Sequence, residues 1–121
     1  MPIICQPMEE RFDTDEIIFN QNDWGDKVYC IKEGEVIIRR DEGDEVAFLK
    51  YLKKGEWFGE IALVKNVPRT TSVIAASPVR LLTLSRHDFY TIIQQSLLTG
   101  VSFDHIADER LEELEKATAI Q

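Results

Sequence analysis

Up to residue 84 the apolar positions come in short runs broken by turn residues; beyond it they recur at helical spacing. Runs at 17–19, 28–31, 36–39, 46–52, 72–76 and 79–84 have the length of strands. Between them lie polar turns at 13–16, 20–26 (with Gly25), 32–35 (with Gly34), 41–45 (with Gly43) and 53–56 (with Gly55), and Ser77-Pro78 separates the last two strands. In the 46–52 run, Phe48, Lys50 and Leu52 fall on one side. Many short strands and little helix before residue 85 predict an antiparallel sandwich or jelly roll. Ser85 followed by Asp88 is a helix-start signature, Phe89, Ile92 and Ile93 face inward, and Gly100 is the stop. Ser102 or Asp104 can cap a second helix to about residue 117, with Ala107, Leu111, Leu114 and Thr118 on one face and Glu109, Glu112, Glu113 and Glu115 in water. That stripe is either plain packing or a lid. Residues 1–11 carry little pattern.

The stretch 58–73, F-G-E-I-A-L-V-K-N-V-P-R-T-T-S-V, holds the densest chemistry. Gly59 lets the backbone approach a ligand closely. Glu60 is an acceptor-only carboxylate suited to a sugar hydroxyl. Ile61, Ala62 and Leu63 can open a short helix whose first N–H groups lack intrahelical partners and attract phosphate oxygens. Pro68 fixes the backbone before Arg69, whose planar fork fits two phosphate oxygens. Thr70 and Thr71 add hydroxyls. The alternative is structural: Glu60 ion-paired to Arg69 across a loop.

These residues, F-G-E-I-A-L followed by P-R-T-T-S-V, resemble the phosphate-binding cassette of the cyclic nucleotide-binding domain, nearest to that of cGMP- and cAMP-dependent protein kinases. The likeness runs from about residue 12 to about 93. It implies a mainly β fold with flanking helices: an antiparallel β-roll or jelly roll followed by two C-terminal helices. The expected layout is a single domain, 1–121, with an upstream segment 1–11, a β-roll 12–84 carrying the cassette 58–73, and helices 85–119. The resemblance gives Glu60 the ribose 2′-OH, and gives Arg69 and the Ile61 and Ala62 amides the cyclic phosphate. At the position of Thr70 the family usually has Ala in cAMP-selective kinase sites and Thr or Ser in cGMP-selective ones. A hydroxyl there can accept from the guanine 2-amino group, a bond worth roughly 0.5–1.5 kcal/mol. It can equally touch only phosphate or backbone. Lys50, in F-L-K-Y-L, resembles a basic residue that meets the guanine edge in cGMP-dependent kinase; the plainer reading is an exposed lysine. Leu111, Arg110 and Asp108 are candidates to cap the base.

Composition narrows the functional classes. Fourteen Lys+Arg against 22 Asp+Glu give a net charge of −8, which repels nucleic acid and anionic membranes. No apolar run approaches the ~20 residues of a membrane span. Cys5 and Cys30 make no metal-ligand pattern and read as free cytosolic thiols; His87 and His105 have no partner histidine. No metal cluster that would activate water, and no catalytic triad, stands out. The expectation is a cytoplasmic, non-catalytic, cofactor-free regulatory module cut from a cGMP-dependent protein kinase or relative. It would bind cGMP, close its helical lid, and act on a kinase catalytic domain or a neighbouring regulatory domain. The alternatives are a cAMP-binding regulatory domain of kinase-subunit or channel type, and a non-binding scaffold copy of the fold. A DNA-binding regulator on the same barrel would need a basic helix-turn-helix.

Overall fold

The computed structural model describes residues 8–103, 105, 106 and 109. Its strands are β1 (Met8–Phe12), β2 (Ile17–Phe19), β3 (Lys27–Glu33), β4 (Glu35–Glu42), β5 (Glu45–Lys53), β6 (Trp57–Phe58), β7 (Ser72–Ala75) and β8 (Val79–Ser85). Two helices, α1 (Glu60–Lys65) and α2 (Arg86–Thr99), complete the described elements. The strands form two four-stranded sheets, ordered β1-β8-β3-β6 and β2-β7-β4-β5, and every pairing is antiparallel. The fold is the mainly antiparallel β-roll that the alternating runs predict, followed by a long helix.

Between the sheets, alternate residues interdigitate: Tyr29, Ile31, Val36, Leu52, Phe58, Val73, Ala75, Val79 and Leu81 are buried together. A second cluster lies under the helices, where Val28, Leu63 and Leu84 meet Phe89, Ile92 and Ile106. Ser85 caps α2, its Oγ accepting from the Asp88 N–H at 3.1 Å, and Gly100 ends it in the left-handed conformation at φ 75°.

One expectation changes. Residues 8–11, read as patternless, lie in β1 and pair with β8 from Met8↔Thr83 to Phe12↔Val79. This edge strand is polar because one side of it faces water, so its apolar signal is weak. The second helix begins as expected, with Ser102 Oγ accepting from the His105 N–H at 3.2 Å. Among its described residues Phe103 and Ile106 pack inward. The stripe of Ala107, Leu111, Leu114 and Thr118, and the base-capping candidates Asp108, Arg110 and Leu111, lie outside the described residues.

Candidate functional site

The cassette begins where β6 ends. Gly59 takes φ 90°, a conformation costly for any residue with a β carbon, and starts α1 directly after β6. A six-residue helix follows, and Asn66 closes it at φ 53°. Pro68 stands two residues later, where the chain cannot remain helical. The helix is tied to α2 from below: the Leu63 carbonyl accepts from Tyr90 Oη at 3.0 Å and from Arg86 Nη1 at 3.4 Å.

Arg69 is the centre of the site. It is only 3% exposed. The loop 20–26 grips its backbone on both sides: the Asn22 N–H donates to the Arg69 carbonyl, and the Arg69 N–H donates to the Asp23 carbonyl, both at 2.7 Å. Its side chain turns into the barrel. Nη1 donates to the Gly59 carbonyl at 2.6 Å and Nη2 to the Lys27 carbonyl at 2.7 Å. The Cζ atom lies 4.2 Å from the centre of the Phe19 ring. Burial pushes the guanidinium below its ordinary value, while Tyr29, Asp26, Glu60 and Asp23 act in the opposite direction. The group stays a cation, as arginine does in proteins.

Two polar atoms here have no hydrogen-bond partner although they are buried: Nε of Arg69 and Oε2 of Glu60. Among the described residues the two side chains form no ion pair, so the structural alternative of a Glu60–Arg69 bridge is not what the fold builds. Arginine satisfies itself on carbonyls instead, and the carboxylate keeps unused acceptor capacity.

Both residues face one cleft of about 260 Å³. Eight of the site residues suggested by the sequence line it: Lys50, Gly59, Glu60, Ile61, Ala62, Arg69, Thr70 and Thr71. Lys50 and Thr70 are exposed at its edge; Ala62 and Arg69 are buried. The expected side of β5, Phe48, Lys50 and Leu52, supplies one wall. Sequence reasoning missed Phe19 and Trp57, which also line the cleft. It also missed Gly25, which packs directly on the guanidinium. Gly25 looked like an ordinary turn glycine, and its true neighbour is 44 residues away along the chain (69 − 25).

The cleft is therefore lined by a cation and a carboxylate that each keep an unpartnered polar atom, within an apolar frame. A ligand that is anionic at one point and carries a hydroxyl nearby satisfies both. The described residues contain no cluster of metal-ligating side chains.

The chain is 40% identical over 72 residues to the type II regulatory subunit of cAMP-dependent protein kinase from Drosophila melanogaster, covering 60% of this chain and 19% of that protein. It superposes on the regulatory domain of Toxoplasma gondii PKA solved with cAMP, with a TM-score of 0.66 and 26% identity, covering 88% of this chain and 39% of that one. The catabolite activator protein of Thermus thermophilus gives a TM-score of 0.72 and 27% identity, covering 94% and 54%. The kinase relatives favour the cAMP-dependent regulatory subunits over the cGMP-dependent kinases that the cassette first suggested. Like the cyclic nucleotide-binding domains of those subunits, the domain is a binding module and not an enzyme. Residues 9–96 match the model of the cyclic nucleotide-binding domain, and the chain belongs to that family.

Proposed function

We propose that this chain is the cAMP-type regulatory module of a kinase regulatory subunit. One observation carries the binding site: Arg69 and Glu60 line one cleft, and each keeps a buried polar atom, Nε and Oε2, without a partner. A buried polar atom left unsatisfied costs about 1–3 kcal/mol, more when charged, so the site is relieved when a ligand fills both. A cyclic phosphate beside a ribose hydroxyl has the required chemistry. In this reading Arg69 and the first amides of α1 hold the phosphate, and Glu60 accepts from the 2′-OH.

The choice of cAMP rests on the relatives. The matched Drosophila protein is named a cAMP-dependent subunit, and the Toxoplasma domain was solved with cAMP. cGMP is the second reading, supported by Thr70 and Lys50 at the cleft edge. Neither compels it. Lys50 is a point charge and cannot make the planar bidentate contact that arginine makes with guanine O6 and N7. A single hydroxyl contact biases affinity about tenfold at most.

Regulation follows from the tie between α1 and α2. The ligand pulls on Gly59 and Glu60 at the start of α1, and α1 is bonded through Leu63 to Tyr90 and Arg86 of α2. Leu63 is also packed against Phe89 and Ile92. A shift of α1 therefore repacks the helical cluster, and the partner that senses it is a kinase catalytic domain or an adjoining regulatory domain. Near-complete switching takes roughly 10⁴-fold differential affinity between the two states. Calorimetric titration with cAMP and cGMP tests the reading. Tighter binding of cAMP is expected; tighter binding of cGMP reverses the choice of base, and binding of neither rejects the site.

A further inference from the structure

Phe19 belongs to β2, on the sheet opposite β3 and β6, yet its ring lies against the guanidinium of Arg69 with Cζ 4.2 Å from the ring centre. The ring cannot drift easily. It packs on Tyr29 and Phe58, with centroids 5.8 and 6.0 Å away, and those two rings stack on each other at 5.0 Å and 9°. Tyr29 also approaches the cation, at 5.9 Å. Gly25 adds a contact without a side chain, and two carbonyls take one N–H each from Nη1 and Nη2. The guanidinium is thus held in position and orientation by groups of the protein alone.

We propose that Phe19 is a positioning residue for anion binding: its ring face holds the Arg69 guanidinium ready before the phosphate arrives. The proposal deepens the assignment of the cleft to a cyclic phosphate and rests on it. A ring quadrupole attracts a desolvated cation more strongly than a hydrated one, and Arg69 is almost wholly out of water. A side chain already frozen loses little freedom when its ligand binds. Since Phe19 acts through Arg69, its removal weakens cAMP and cGMP by the same factor. A residue that reads the base would separate them.

The test compares Phe19→Leu, which keeps an apolar side chain, with Phe19→Tyr, which keeps the ring. Calorimetry is run with both nucleotides, thermal unfolding checks the fold, and NMR follows the Arg69 Nε–H proton without ligand. In the parent protein the ring current shifts that proton. The shift is lost in Phe19→Leu and kept in Phe19→Tyr. Phe19→Leu binds both nucleotides roughly 5- to 30-fold more weakly, and Phe19→Tyr restores affinity to within about twofold. A folded Phe19→Leu with parental affinity, or equal losses in both variants, would overturn the proposal. An unshifted Nε–H proton in the parent overturns the stack itself, whatever the nucleotides do. A shifted proton in a protein that binds neither nucleotide would support the stack and reject the ligand assignment.

Discussion

A β carbon built on Gly25 would sit 2.2 Å from Nε of Arg69 and 2.4 Å from Cζ and Nη2. No side chain fits there while the guanidinium keeps its place. Gly25→Ala should therefore displace Arg69 without a substitution inside the cassette. Two charge-assisted bonds to a phosphate are worth roughly 1.5–3 kcal/mol each, so cAMP affinity should fall on the order of 100-fold or more. Calorimetry on a variant with unchanged circular dichroism checks it; parental affinity would mean that the arginine can be displaced without consequence.

Arg69→Ala has two effects that can be read apart. Binding should weaken by orders of magnitude. The Gly59 and Lys27 carbonyls also lose their donors, so the unliganded protein should lose about 1–3 kcal/mol of stability. Arg69→Lys keeps a charge but not the planar fork, and should recover only part of either loss. Denaturant unfolding and titration on the same samples measure both quantities. Undiminished stability in Arg69→Ala would show that the carbonyls find other donors.

Glu60→Gln should move affinity and stability in opposite directions. The carboxylate keeps a buried oxygen without a donor, so removing its charge should stabilise the unliganded protein modestly. The weaker amide acceptor should lower cAMP affinity about tenfold. A melting temperature that falls in step with affinity would mean that Glu60 is chiefly a structural residue.

Thr70→Ala tests the base preference. Thr70 is exposed and lines the cleft, outside the buried core. cGMP affinity should fall by up to about tenfold, with cAMP affinity nearly unchanged. Equal changes for the two nucleotides would remove Thr70 from any role in selectivity.

Tyr29 gives an alkaline signature. Burial raises its phenol above the ordinary value of 10.0, Glu10 adds to this, Arg69 opposes it, and Asp26 raises it slightly further. The folded state thus holds a proton that the unfolded chain releases first. Its contribution to stability is complete below pH 10 and is lost as pH rises from there through the folded value. Tyr29→Phe should flatten that alkaline decline in unfolding free energy; an identical decline in the variant would place its cause elsewhere.

The sequence by itself determined most of the strands, the turns and the cassette side of the cleft. Periodicity two and turn residues are local properties, and the cassette places Gly59, Glu60 and the opening of α1 within a few residues of one another. That Phe48, Lys50 and Leu52 share one side of β5 was likewise legible in their alternation. Only the tertiary structure decided which protein groups hold Arg69. Its neighbours Phe19, Gly25 and Lys27 arrive from β2, β3 and the loop between them, more than 40 residues away along the chain. Nothing in their local pattern marks them, because a stacking ring looks like a core phenylalanine and a contact glycine like a turn. The same holds for β1, whose polar composition hides its pairing, and for Phe103 and Ile106, whose burial depends on the surface that Val28, Leu63 and Phe89 present.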